Sequence, residues 1–500
     1  MAASFPTARS LPRADQPLGY LNRRDARYVP STGRQAVNLP VLGIALLCLV
    51  CGAAVVVAEL DALFVGLALI VCVLVLVDFR VGVILLILLM PASYSQIFPR
   101  SIGGITGLNP VNLLLVGTFG SYLLHAIYHR TLGSFIPRSL LWLYIVPLLI
   151  AGAMGSRHVG KIAMYFYLVE KVHFIDVLGY VRDMVVKPLF MVLFALLLGA
   201  AVARSKDPGK FFAPMLISIW LMSLMVIVYF VLSGSSLAQI ASTDNREFLT
   251  LLGMHANQLG RLYVIAYALL LFTWVETRDH GAKMILLATI GIVMVALILT
   301  FSRGSFLGVV LVTALFLAAR RDIGGLLFGA LLATAVLFVL PQEVYDRAML
   351  GFGQGADAIS AGRITTIWIP IIPDILKSPI WGSGAGSMLW SEAVRTGRAA
   401  LVTHPHNAYL QILMDMGIIG LILVSAYLFQ VWRGFRRLAA AEDLTPELRG
   451  FFRGAAAGLL AFLAAAFADG SLMPRPEQFF LWFAIGLMYG VGARKNSAPA

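Results

Sequence analysis

Residues 283–300 read KMILLATIGIVMVALILT and run directly into Phe301-Ser302-Arg303-Gly304-Ser305. After Lys283 the run carries no charge, and its length is what an α-helix needs to cross a hydrocarbon core of roughly 30 Å. It lacks the strict alternation of a lipid-facing barrel strand. Comparable runs recur along the whole chain. With 60% hydrophobic and 13% charged residues, and a mean hydropathy of +0.87, too few polar side chains remain to build a water-facing surface. The fold class is therefore all-α, a polytopic helical membrane protein.

The expected spans are 39–58, 62–78, 81–97, 108–127, 138–154, 184–203, 211–233, 259–275, 283–300, 304–319, 323–340, 416–432, 451–468 and 478–493, about fourteen crossings. They form one membrane domain over 39–493, between a basic tail at 1–38 that reads as disordered and a short tail at 494–500. An even number of crossings puts both termini on one side. That side collects Arg23, Arg24, Arg27 and Arg34, then Arg204, Lys206 and Lys210, then Arg320 and Arg321, and later Arg433, Arg436 and Arg437, so it is expected to be cytoplasmic. The net charge of +13 is then topology plus attraction to anionic membrane lipids, with no call for nucleic acid. Arg23-Arg24 lacks the apolar run and cleavage site of an export signal. Cys48, Cys51 and Cys72 sit in apolar segments as small hydrophobes.

The same parity turns four polar connections outward: 154–183, 234–258, 341–415 and 469–477. The stretch 341–415 is far too long for a connector, and loops of that size carry function. Nucleotide sugars and ATP are cytosolic, so an enzyme on the outer face needs a donor activated beforehand and presented from the membrane, such as a lipid diphosphate. Within this loop Arg363 to Pro370 predicts a short amphipathic helix near the interface, which suits Trp368 and Trp381. Gly382, Gly384 and Gly386 fit either a plain turn or close approach of a ligand. No Lys-Ser/Thr follows them, which excludes a phosphate-binding P-loop. Lys161, Glu170, Lys171, His173 and Asp176 predict an interfacial helix in 154–183. His125 and His129 lack a third ligand for zinc. Gly454, Gly458 and their alanine neighbours fit close helix packing.

The most polar cluster at a helix mouth is His404-Pro405-His406-Asn407, continuing to Gly417-Ile418-Ile419-Gly420. This pattern resembles the signature of the O-antigen ligase and O-antigen polymerase superfamily. Arg363, Trp368, Pro379, Gly382 and Gly384 are similar to that family's large-loop pattern, Phe301 to Ser305 to its Ser-Arg-Gly element, and Gly253 to Arg261 to a further polar helix start. The resemblance implies a metal-independent glycosyltransferase without cofactor in the bacterial inner membrane. It implies an undecaprenyl-diphosphate-linked glycan donor and a glycan or lipid-linked acceptor, with a chain-length regulator as a further partner.

Moving a glycan from a diphosphate to a hydroxyl calls for a base and for cations that hold the departing charge. His406 is the expected base, placed by Pro405 just inside a helix whose N-terminus would also hold phosphate; its alternative is a cap or a backbone partner. Arg303 and Arg261 are the expected diphosphate clamps, against snorkelling or pairing with an acid such as Asp244 or Glu247. Arg363, Arg246, Asn407 and His404 are expected to bind substrate. Asn407, His255 and Asn257 equally suit helix capping. Polymerisation of lipid-linked repeat units is the favoured use, with ligation to a lipid A core the first alternative. A flippase needs polar groups at several depths, whereas here they crowd one face.

Overall fold

The computed structural model describes residues 60–98, 101–102, 105–106, 109–128, 135–169, 171–234, 249, 251–320, 342–349, 351 and 353–497. The expected spans 39–58 and 323–340, the tail 1–38, Cys48, Cys51, His129, Asp244, Arg246 and Glu247 lie outside the described residues.

The chain is a succession of helices: α1 (Leu60–Val77), α2 (Phe79–Leu89), α3 (Pro110–Tyr128), α4 (Arg138–Ser156), α5 (Val177–Ala203), α6 (Pro208–Ser233), α7 (Ala256–Glu276), α8 (His280–Ile298), α9 (Arg303–Arg320), α10 (Gln342–Met349), α11 (Ile369–Lys377), α12 (Ala408–Ala439), α13 (Pro446–Ala465) and α14 (Phe479–Ser497). Among the described residues nine helices, α3 to α9, α12 and α13, are long and apolar enough to cross a membrane. The fold is a polytopic helical membrane protein. One amendment to the all-α expectation is a hairpin of two-residue strands, β1 (Ser101–Ile102) and β2 (Ile105–Thr106), ahead of α3.

Several expected boundaries move. The span at 81–97 ends as a helix at Leu89, because Pro91 has no N–H to continue it and the chain proceeds in i→i+3 turns through Ser95. The span at 416–432 begins eight residues earlier, at Ala408, and α14 runs on to Ser497, through most of the expected terminal tail. Segment 154–183 forms a turn at Val159–Lys161 and a short helix at Met164–Leu168 instead of one interfacial helix, since Phe166, Phe174 and Tyr180 turn inward. Wide π-turns at Leu141–Ile145, Arg182–Val186 and Ile364–Trp368 each stand two residues before a proline, Pro147, Pro188 and Pro370. A proline ring clashes with the carbonyl four residues back, and the widened turn relieves that clash without ending the helix.

Helix α7 is the centre of the bundle, with 78% of its apolar window buried against 17% for α9. It packs on α8, α9 and α13. The α13 contact is close because it is lined by glycine: a Cβ at Gly454 would lie 2.4 Å from the Ala268 carbonyl oxygen. This is the small-residue packing expected of membrane helices, which lack a hydrophobic drive to associate and rely on intimate contact.

A second, smaller core sits beside the bundle, built from Phe166, Phe174, Tyr180, Ile367, Ile371 and Trp390. It joins the segment before α5 to the large loop. α11 buries Ile371 there and leaves Ile369, Ile372 and Leu376 exposed, an amphipathic disposition suited to a membrane interface. The loop is fastened to α12 by exchanged backbone bonds. Gly417 breaks the helix at φ 66, ψ −167. The N–H groups of Ile418 and Ile419 turn away to Pro379 O (2.8 Å) and Ile380 O (3.3 Å), and the carbonyls of Met414 and Asp415 accept instead from Ser383 N (2.7 Å) and Gly384 N (3.0 Å). The glycines thus serve close approach of backbone to backbone. A Cβ at Gly382 would meet the Asp415 carbonyl carbon at 2.4 Å, and one at Gly417 the Ile380 carbonyl carbon at 2.3 Å.

Both glycines have positive φ, so alanine there adds conformational strain to the clash. Gly382→Ala and Gly417→Ala should each destabilise the protein by about 2 kcal/mol or more. Melting curves in detergent should show the loss, whereas Gly353→Ala, at positive φ with nothing nearby, should show strain alone.

Candidate active site

The described helices α7, α9 and α12 begin, and α13 ends, around one open cavity of about 790 Å³. Gly260 abuts Ser305, where a Cβ would lie 2.0 Å from Ser305 Oγ, so the first turns of α7 and α9 touch. Arg261 and Arg303 therefore share a wall. Arg363 comes from the large loop, His404 and His406 from the segment before α12, and Asp469 and Arg475 from the turn between α13 and α14. Five of the seven site residues expected from the sequence line this cavity: Arg261, Arg303, Arg363, His404 and His406. Arg246 lies outside the described residues.

Asn407 takes a different place. It is the N-cap of α12, its Oδ1 accepting from Tyr409 N (3.0 Å) and Leu410 N (3.1 Å), and it is buried. Ala408 N donates to Ala466 O at 2.9 Å, so the first three N–H groups of the helix are satisfied by protein. That leaves none of them to hold a phosphate, contrary to the expectation. His406 is not inside the helix either: it lies before the cap at φ 52, a left-handed conformation. His255 caps α7 in a reciprocal capping box with Gln258.

The sequence reading did not find the hub of the site, Asp469. Its Oδ1 accepts from His406 Nδ1 (3.1 Å) and Gly470 N (2.8 Å), and its Oδ2 accepts from Asn257 Nδ2 (3.1 Å) and forms an ion pair with Arg261 Nη1 at 3.2 Å. Arg261, only 6% exposed, also binds Glu477 Oε1 at 3.1 Å. Arg261 thus takes the acid-pairing alternative, with acids more than two hundred residues away in place of Asp244 or Glu247. Burial alone would raise the Asp469 carboxyl, but the two histidines and the Arg261 charge outweigh it and hold Asp469 well below the usual carboxylate range. An ionised Asp469 accepts a proton-bearing Nδ1 from His406, which leaves the lone pair on Nε2. That is the arrangement of an oriented general base.

His404 stacks beside His406 with ring centroids 4.2 Å apart. Its Nε2 is 3.8 Å from Asp469 Oδ1, beyond hydrogen-bonding distance. Burial, with the charges of Arg475 and His406, pushes it down to about 4 against the pull of Asp469, so it is neutral near pH 7. Arg363 donates to the Ala468 carbonyl, and burial, then Arg303 and Arg261, lower its affinity for a proton against Asp469, so these arginines act within one field. Trp368 Nε1 donates to Pro405 O at 2.8 Å and pins the histidine segment to the large loop.

Backbone strain gathers here as well. Phe301 (φ 47), Ala361 (φ 58) and His406 (φ 52) are the non-glycine residues with positive φ among those described, and all three line the cavity. Each is a site residue or precedes one by two positions. Strained backbone of this kind persists where surrounding structure over-determines it, which is typical of functional sites.

Ligand atoms of His404, His406 and Asp469 lie within 4.8 Å of one another, a spacing that admits a metal ion. The donor set fits one poorly. Both Asp469 oxygens already accept from N–H donors, and Oδ2 is also paired with the Arg261 guanidinium, which would repel a cation.

The His404 shift fixes a pH dependence of stability. Its folded value lies below its ordinary 6.5, so the neutral ring stabilises the fold fully above about pH 6.5, and this contribution is lost as pH falls toward 4. The contribution is at most about 3 kcal/mol. Melting temperatures from pH 7.5 to 4.5 should fall more steeply for the wild type than for His404→Asn. Parallel curves would remove His404 as the source.

Comparison with known proteins follows the same residues. Residues 285–425 match a family model described as O-Antigen ligase. "Exopolysaccharide production protein ExoQ" of Rhizobium meliloti (strain 1021) is 29% identical over 196 residues, which span 37% of this chain and 42% of that protein. The family match contains Arg303, Arg363, His404 and His406, whereas Arg261, Asp469 and Glu477 fall outside it. Both matches point the same way, and the chain is a multi-pass membrane protein that over residues 285–425 is similar to the O-antigen ligase family.

Proposed function

We propose that the protein is a glycosyltransferase that polymerises glycan repeat units, taking them from an undecaprenyl-diphosphate donor on the outer face of the bacterial inner membrane, with both termini cytoplasmic. The observation that carries the reading is the His406–Asp469 pair, 3.1 Å apart, in a cavity walled by Arg303 and Arg363. In this reading His406 Nε2 takes the proton of the acceptor hydroxyl as its oxygen attacks the anomeric carbon. The bond to the diphosphate breaks, and the leaving group departs with the electron pair. Asp469 keeps Nδ1 protonated and steadies the imidazolium that forms. Arg303 and Arg363 meet the charge that builds on the diphosphate oxygens. Arg261 acts through Asp469 as a positioning residue. The chemistry needs no metal, and the saturated Asp469 carboxylate supports that. Polymerisation is preferred to ligation on a lipid A core because the relative's name speaks of exopolysaccharide production.

His406→Ala and Asp469→Asn should each cut turnover of a lipid-linked glycan donor about 10²- to 10⁴-fold in nanodiscs, with EDTA leaving the wild type unaffected. Arg303→Lys should recover part of the activity lost in Arg303→Ala, since it keeps charge but not the planar fork. Near-normal turnover by His406→Ala would overturn the base assignment. Long glycan chains in the product indicate polymerisation, and a single transfer to lipid A core indicates ligation.

The orientation is tested separately. Reporter fusions after Ala400 and after Gly434 should report opposite sides of the membrane, the first outside; two cytoplasmic readings would leave the cavity unable to reach an outer-leaflet donor.

A further inference from the structure

Arg475 lines the cavity beside His404, and no role falls to it in the scheme above. It is half-buried, its carbonyl accepts from Gln478 N at 2.9 Å, and among the described residues its side chain makes no hydrogen bond or ion pair. The acids of its own turn do not answer it. Both Asp469 oxygens are occupied by other donors, and Glu477 is fully buried against Arg261. A half-buried guanidinium without a partner is costly and persists where an anion visits it.

The backbone prepares it for that visit. Arg475 stands between Pro474 and Pro476, and the following proline confines it to an extended conformation, observed at φ −139, ψ 161. The side chain is thereby held on a stiff strut at the cavity edge, next to His404, whose proton affinity its charge lowers. Arg261, by contrast, is sealed behind Asp469 with its Nε buried and without a partner.

We propose that Arg475 is a phosphate-binding residue of this cavity, taking the place in the diphosphate clamp that Arg261, held by Asp469 and Glu477, leaves open. This rests on the lipid-diphosphate reading of the cavity. Arg475 contributes a planar fork of donors to the donor's diphosphate oxygens from the histidine side.

The test is binding of farnesyl diphosphate, a short isoprenoid diphosphate, to the full chain in phosphatidylcholine nanodiscs, with inorganic pyrophosphate as a second arm. Arg475→Ala should weaken farnesyl diphosphate binding about 10- to 100-fold and Arg475→Lys less, with an unchanged melting temperature. Pyrophosphate should compete in the wild type and lose that ability in Arg475→Ala. Arg261→Ala should instead lower the melting temperature, because it strands Glu477. Wild-type affinity in Arg475→Ala, while Arg303→Ala loses binding, would overturn this proposal and leave the lipid-diphosphate reading standing. No binding by the wild type would overturn that reading and this proposal together. A melting temperature reduced in Arg475→Ala as in Arg261→Ala would make Arg475 structural and also overturn it.

Discussion

The cavity depends on one buried ion cluster, Arg261 held between Asp469 and Glu477. It joins the central helix α7 to the turn between α13 and α14, and through Asp469 it reaches His406. Charges so deep are expensive to desolvate, and removing one partner of such a cluster typically costs about 3–5 kcal/mol because the survivor is left uncompensated. The cluster is therefore a poor means of gaining stability. What it does secure is geometry: a carboxylate that stays ionised, faces two histidines and has no freedom to rotate.

Much of the fold was legible because membrane spans are read from one quantity, continuous apolar length, that needs no tertiary information. Boundaries shifted where local chemistry intervened, as at Pro91 and at the Asn407 cap. The cap is instructive, since the same Asn suits a sugar hydroxyl or two helix N–H groups, and only the fold decides. Arg261, Arg303, Arg363 and the histidines were legible because charged or titratable groups at the mouths of apolar helices are rare. Asp469, Arg475 and Glu477 were passed over. They lie in a short turn with no periodicity and no motif, and their partners are distant in sequence: Arg261 is 216 positions from Glu477. The available signal was a turn of nine residues holding two acids and an arginine in a chain with only 25 acids.

The site also shows how a loop and a membrane bundle can be made to agree. The arginines of α7 and α9 are fixed by helix packing, that of the large loop by a strained two-residue approach, and the histidines by the Trp368 bond and Asp469. Each contributor reaches the cavity by a different physical route, and each route ends within the same small volume.

The exchanged backbone bonds at Gly417 have an implication for how such a protein can diversify. Segment 379–384 is clasped to α12 through main-chain atoms alone, so apart from its glycines the side chains there are released from holding the loop in place. Ile380, Trp381 and Ser383 can be exchanged for residues of other size or polarity while the frame that carries the histidines stays put. A scaffold of this kind separates the part of the loop that must be kept from the part that can be retuned.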